Sequence, residues 1–489
     1  MAKAIMIQGT MSNVGKSLLT AAFCRIFRQN GYRSAPFKSQ NMALNSYVTP
    51  DGLEIGRAQA LQAEAAGIEP SAFMNPILLK PTTDVGSQVI VNGKSRGNMR
   101  AAEYFRHKKE LIPEIMAAYQ TLSEQYDIIV IEGAGSPAEL NLKKDDIVNM
   151  GLAQMLHVPV LMTGDIDCGG IFAQLLGTLN LLDPNEQKLV KGLLVNRFRG
   201  DVSLFRDGVS ILEEYSGKPV LGIVPYISHH LEDEDSLSSR LQQKCSTGVI
   251  DIAVIHLNKI SNFSDFDVFS QYPDVSVRYV SEPAQLGIPD LLILPGSKST
   301  ISDLKILRSS GLERAILAYA KRGMPVFGIC GGYQMLGSEI SDPEQTECGE
   351  TIRGLGLLPC KTVFHTEKTQ KQTSGYLLKQ EGFFACLSGK QFQGYEVHMG
   401  TTESAGMPLT DCGGTVSGNI AGCYIHGIFD TAEVSGSLVQ ELFRRRGLNP
   451  PASQTDRKTE RCKQLDKLAD AVRNSVDIPA IMKIMEDGA

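Results

Sequence analysis

Residues Val326 to Leu336 read VFGICGGYQML. An apolar, β-branched run ends in a single cysteine, two glycines follow, and the pattern then turns helical. A strand that bends sharply into a helix exposes the side chain at its corner over the end of a sheet. Such a corner needs unusual dihedrals, and small neighbours relieve the clashes. Cys330 holds the corner. A cysteine buried only for packing has no need of flanking glycines, so the thiol reads as a nucleophile. The helix N-terminus favours its thiolate, and the N–H of Gly331 points where an oxyanion would form.

Around this corner lie further apolar strands, VIDIAVIHL, VSVRYV, DLLILPGS and GCYIHGIFD. The first half carries its own series: KAIMIQG, YDIIVIEGAG, VPVLMTGDID, VKGLLVNRF and KPVLGIVPY, with helix-like stretches at Lys16 to Gln29 and Glu54 to Ala66. Apolar strands separated by helices predict parallel sheets covered on both faces, so the fold class is α/β with two parallel-sheet domains. The polar stretch SHHLEDEDSLSSRLQQKCSTG separates them. The expected organisation is a nucleotide domain at 1–230, a linker at 231–249, a second α/β domain at 250–445 and a helical extension at 446–489.

Among the 489 residues, 42% are hydrophobic and 21% charged, ordinary values for a globular protein. A net charge of −6 gives no basic field for nucleic acid. No apolar run reaches membrane-spanning length and the opening residues lack a signal-peptide layout, so no membrane partner and a cytoplasmic location are expected. None of the ten cysteines form a C-x-x-C pair, which argues against zinc-ribbon and thioredoxin chemistry. Oligomeric state is not legible.

Gly9 to Ser17 reads GTMSNVGKS, after a strand and before a helix, the setting of a phosphate-binding loop. Gly9, Thr10, Asn13, Val14, Gly15, Lys16 and Ser17 form the expected ATP cradle. Lys16 would neutralise the β- and γ-phosphates, and Ser17 would ligate Mg²⁺. Five residues, not the usual four, separate Gly9 from Gly15. Glu132 follows the DIIVI strand and suits Mg²⁺ or its water shell; Glu54, at the expected start of a helix, is a second metal candidate. For Asp165 and Asp167, metal, substrate and capping roles stand level. Asn196 and Arg197 sit where related folds recognise a nucleotide base, with a structural loop role equally open. Lys38, Lys80, Ser87 and Gln88, in polar loops after apolar segments, are candidates for an anionic substrate.

A nucleophilic cysteine needs a base, and His426 in AGCYIHGIFD is the candidate, with His398 in GYEVHMG as its rival.

The five-residue loop spacing resembles the dethiobiotin-synthetase branch of P-loop proteins, which activates carboxylates by phosphorylation. Partitioning ATPases carry an early loop lysine that Thr10 to Val14 lack. The elbow, LPGSKST and the late histidine resemble class I glutamine amidotransferase domains, which are flavodoxin-like. That resemblance implies that Cys330 attacks the glutamine amide with His426 as base. It also implies that Gly296, Ser297 and Gly331 serve the oxyanion and substrate loop, and that Gln334, Tyr395 and Glu396 contact glutamine. The family's usual His-Pro-Glu is His426-Gly427-Ile428 here, a departure typical of the cobyrinic-acid-amidating subgroup. A backbone carbonyl or Glu396 are the candidates to orient His426. With PFKSQNMALNS and EIGRAQALQAEAA, the fused chain resembles the corrinoid amidases of cobalamin synthesis. The resemblance implies ATP- and glutamine-dependent amidation of carboxylates b, d, e and g of adenosylcobyrinic acid a,c-diamide. The alternatives are amidation of carboxylates a and c, or a non-catalytic P-loop regulator.

Overall fold

The computed structural model describes residues 2–83, 86–229, 231, 248–451 and 456–488. The linker expected at 231–249 lies outside the described residues except at 231, 248 and 249.

The first half is built on six parallel strands. Their order is Val220–Pro225, Val190–Phe198, Val160–Asp165, Lys3–Gly9, Ile128–Glu132, Ser34–Phe37. Lys3–Gly9 and Ile128–Glu132 lie centrally and are apolar almost throughout, because helices cover both sheet faces. On one face the helix Lys16–Gln29 buries Leu19, Phe23, Ile26 and Phe27. Leu465, Leu468 and Ile481, from the helices Arg457–Arg473 and Ile478–Asp487, join that same core. The C-terminal extension therefore returns to the first domain rather than lengthening the second. The opposite face packs Ile115, Leu122, Met150, Leu175 and Leu212. Beside this sheet stands an antiparallel meander, Ile77–Thr83, Gly86–Val91 and Lys94–Arg100, flanked by Gln40–Met42.

The helix expected from Glu54 begins instead at Arg57. Glu54–Gly56 is a short strand because it pairs antiparallel with Ser46–Val48.

The second half has a six-stranded sheet ordered Val275–Val280, Ile250–Ile255, Leu291–Leu294, Val326–Ile329, Ile420–Cys423, Thr415–Ser417, antiparallel only at the last pair. A second sheet carries the long hairpin Cys360–Tyr376 and Gln391–Ser404. The stretch AGCYIHGIFD, read as one strand, is split between the two sheets. Ile420–Cys423 ends the parallel sheet, and Ile425–His426 crosses to pair with Tyr395 and Glu396. Gly427, at φ 74°, supplies the left-handed turn that ends this crossing.

Candidate active site

At the first sheet's C-terminal edge the loop wraps tightly. A Cβ at Gly9 would stand 2.5 Å from Val14 Cγ2 and 3.0 Å from Lys16 Nζ, so only glycine lets the loop close over the strand. Gly15 adopts φ 92°. The Lys16 ammonium folds back to the carbonyls of Met11 (2.9 Å) and Gly135 (3.0 Å). Ser17 Oγ donates to Glu132 Oε1 at 2.8 Å, and Lys38 Nζ bonds the same oxygen at 2.8 Å. Gln62 Nε2 donates to the other carboxylate oxygen at 2.6 Å. A hydroxyl and a carboxylate thus converge beside the loop. That hard-oxygen pair suits Mg²⁺, which completes its shell with phosphate oxygens and water. Among the described residues no group of three or more His, Cys, Asp or Glu side chains is placed to hold a metal.

Asn196 does not face outward to a base. Its amide donates to Val14 O at 2.7 Å and braces the loop from behind. Arg197 Nη1 pairs with Asp165 Oδ2 at 2.8 Å, and Arg199 Nε with Asp167 Oδ1 at 2.7 Å. Both aspartates are engaged by arginine, as Glu132 is by Lys38, but among the described contacts neither has a hydroxyl of the phosphate loop beside it as Glu132 has in Ser17.

In the second domain Cys330 takes φ 51° and ψ −110°, a strained corner for a residue with a Cβ. The glycines after it are demanded by contact. A Cβ at Gly331 would lie 2.7 Å from Ser297 N, and one at Gly332 2.0 Å from Leu294 O. The thiol accompanies Lys298, Gln334, Lys368, Val397 and His398 in the lining of a cavity of about 50 Å³. Cys330 Sγ donates to Val397 O at 3.6 Å, and the imidazole of His426 is near enough for the sulfur to favour its charged form. Its Nδ1 is 2.7 Å from Asp265 Oδ2, and Gly427 N donates to Asp265 Oδ1 at 3.2 Å. Burial works against charge on this ring, but the carboxylate of Asp265 and the sulfur of Cys330 outweigh it and hold His426 up to about 10. The Tyr395 ring stacks on His426, with centroids 5.4 Å apart.

His398 lines the same cavity, yet both its nitrogens are taken, Nδ1 by Gly400 O at 3.1 Å and Nε2 by Glu396 Oε2 at 3.3 Å. Glu396 also bonds Lys371 and Thr373. It therefore does not orient His426, because its carboxylate is spent on the neighbouring histidine and the hairpin. Asp265 was missed in the sequence. It lies 161 residues from His426, and an acid inside the aromatic run FSDFDVF was its only signal.

Gly296 and Ser297 lie beside the histidine and the corner: a Cβ at Gly296 would be 3.2 Å from His426 Cε1. Ser297 Oγ donates to Asp303 Oδ2 at 2.6 Å, while burial pushes the Asp303 carboxyl up to about 6. Gln334 bonds Thr300, Met399 O and Tyr424.

Glu54, expected at the metal, is instead fully buried among lysines: Lys80 Nζ pairs with it at 2.8 Å and Lys368 Nζ bonds its other oxygen. Its carboxylate is neutralised by two ammonium groups, leaving no free oxygen for a cation. Burial would raise its pKa, but Lys368 and Lys80 hold it well below the usual carboxylate range. Gln88 Oε1 accepts from Lys368 at 3.2 Å. Ser87 sits in the meander opposite Pro81 and Met99, and Lys80, Ser87 and Gln88 thus belong to one hairpin at the domain junction.

The fold defines the class: a P-loop nucleotide-binding domain fused to a glutamine amidotransferase domain. Residues 5–237 match the CobQ/CobB/MinD/ParA nucleotide binding domain family, and residues 251–434 the CobB/CobQ-like glutamine amidotransferase domain family. Over all of both chains, this one is 53% identical to a cobyric acid synthase of Lachnoclostridium phytofermentans. It is 52% identical to that of Ruminiclostridium cellulolyticum over all of this chain and 98% of the relative, and 46% to that of Caldanaerobacter subterraneus over 99% of each. The chain belongs to the cobyric acid synthase family, a family of glutamine-hydrolysing amidoligases. No described helix is long and apolar enough to cross a membrane.

Proposed function

We propose that the chain amidates carboxylates b, d, e and g of adenosylcobyrinic acid a,c-diamide, using ATP and glutamine, to give adenosylcobyric acid. The observation that carries this reading is the placing of Cys330 beside a histidine fixed by Asp265, in a chain whose other half pairs Ser17 with Glu132 behind a phosphate loop.

Carboxylate is a poor acceptor for ammonia because oxide is a bad leaving group. In the first domain a corrinoid carboxylate oxygen attacks the γ-phosphorus of ATP, the bond to ADP breaks, and an acyl phosphate forms. Lys16 turns from the loop carbonyls to the transferring phosphoryl group and stabilises its charge. Ser17 and Glu132 would hold Mg²⁺, which would supply further neutralisation of phosphate charge. Asn196 keeps the loop backbone in register behind the phosphates.

In the second domain Asp265 favours the protonated form of His426 against burial, and the ring takes the proton that leaves the Cys330 thiol as sulfur attacks. Sulfur attacks the side-chain carbonyl carbon of glutamine. Charge on the carbonyl oxygen develops toward the N–H of Gly331. His426 gives its proton to the leaving nitrogen, and ammonia departs from the γ-glutamyl thioester. Water, deprotonated by His426, then releases glutamate. Ammonia attacks the acyl phosphate, phosphate leaves, and the amide remains.

Mass spectrometry of cobyrinic acid a,c-diamide incubated with enzyme, ATP, Mg²⁺ and glutamine tests the substrate; four successive acid-to-amide steps are expected, and an unchanged corrinoid overturns the reading. Cys330→Ala should abolish glutamine-dependent turnover and leave turnover with high ammonia. Undiminished use of glutamine by that variant would remove the thiol from the mechanism.

A further inference from the structure

The supports of His426 are fastened to the other domain. Asn262, at φ 51°, opens the 3-10 segment Phe263–Gln271, which carries Asp265. Its side-chain oxygen accepts from the N–H of Ser46 at 2.9 Å, and the N–H of Phe263 donates to Asn45 Oδ1 at 3.2 Å. Tyr395, whose ring lies on His426, donates its hydroxyl to Ser46 O at 3.0 Å and receives the Asn262 amide at 3.3 Å. Tyr47 meets Tyr395 edge-on at 5.3 Å, and Val48 packs with Tyr395 and Val397. Asn45, Ser46, Val48 and Asn262 are all buried. The ring is thus held at Nδ1 by an aspartate and on its face by a tyrosine, and both holders hang on one short run of the nucleotide domain.

Resting on the reading of Cys330 and His426 as the glutaminase pair, we propose that Asn45 and Ser46 are positioning residues for glutamine hydrolysis: they fix the Asn262–Asp265 turn and the Tyr395 ring, and so hold the imidazole toward the thiol. The glutaminase site is incomplete without the nucleotide domain. A misaligned ring should slow proton transfer and leave glutamine binding almost untouched, because neither residue lines the cavity at Cys330.

The test uses the full-length chain with glutamine and, separately, with ammonia. Asn45→Ala should lower kcat for glutamine-dependent amidation roughly ten- to a hundredfold, with KM for glutamine within about twofold and ammonia-dependent turnover at the wild-type rate. Asn45→Asp, which retains the acceptor for Phe263 N–H, should recover most of that loss. Asn262→Gly removes the neighbouring contacts of the same junction, the acceptor for Ser46 N–H and the donor to the Tyr395 hydroxyl, at a φ that glycine accepts, and should reproduce the glutamine-specific fall in kcat. Normal glutamine kcat in Asn262→Gly, or an equal loss with both nitrogen sources in Asn45→Ala and Asn262→Gly, overturns the proposal. Cys330→Ala separates the two levels. If it loses glutamine use while Asn45→Ala and Asn262→Gly retain it, only the positioning role falls; if it still consumes glutamine, the parent reading falls.

Discussion

At the scale of single residues, Asp265 is the acid that the His426-Gly427-Ile428 run lacks. A charged carboxylate 2.7 Å from Nδ1 fixes the tautomer and orientation of the ring and stabilises its protonated form. Asp265→Asn should therefore lower glutamine-dependent kcat by at least about a hundredfold and spare ammonia-dependent turnover. A stability signature accompanies it. The folded pKa of His426, about 10, lies above the unfolded value near 6.5. The raised value means that its stabilisation is complete below about pH 6.5 and is lost as pH rises toward 10. Urea unfolding of wild type and Asp265→Asn across that window should show the gap narrowing as pH rises; a constant gap would detach Asp265 from the titration. The thiol and the late histidine were legible because their flanks are local. The aspartate was not, because no local pattern marks an acid that reaches its partner across the fold.

At the scale of elements, strand–glycine–helix corners were the most readable features, since their dihedrals and close approaches constrain composition within a few residues. The corner at Cys330 makes this testable. An added methyl at Gly332 would fall 2.0 Å from Leu294 O and 2.8 Å from Pro295 O, both backbone atoms of a buried strand end. Gly332→Ala should destabilise the fold by about 3 kcal/mol, near the upper end for overpacking, with a lower denaturation midpoint as the readout. Full stability in that variant would mean that the elbow is looser than its contacts imply. What the sequence did not reveal at this scale was pairing. Glu54–Gly56 has helix-like neighbours yet pairs with Ser46–Val48, and Ile425–His426 leaves an apolar run to join another sheet. Tertiary partners override local pattern at such short segments. The same override explains Asn196, whose strand-end position was visible but whose hydrogen bond to Val14 O was not.

At the scale of the whole molecule, the alternating halves were legible from strand spacing, but how they meet was not. The C-terminal helices cross back to cover the first sheet, and the junction buries charge. Glu54 and Lys80 come from the first domain and Lys368 from the second, so the carboxylate is a shared counter-ion across the junction. Lys298 stands close by with no opposing bond of its own among the described contacts, and burial together with Lys368 and Lys80 pushes its ammonium down to about 7. Removing the charge of Glu54 leaves the ammonium groups of Lys80 and Lys368 buried without the carboxylate they share, a change expected to cost about 3–5 kcal/mol. Glu54→Gln should accordingly lower the urea midpoint at neutral pH. The pH dependence follows with a defined sign. A carboxylate whose folded pKa is depressed stabilises fully above its unfolded value near 4.5, and that contribution is lost as pH falls below it. Wild type should therefore lose more stability than Glu54→Gln between about pH 5 and the acid end of the scale, and the two curves should converge there. Parallel curves with the same midpoint would show that the lysines are neutralised by another group, and that this junction is not held by its central charge.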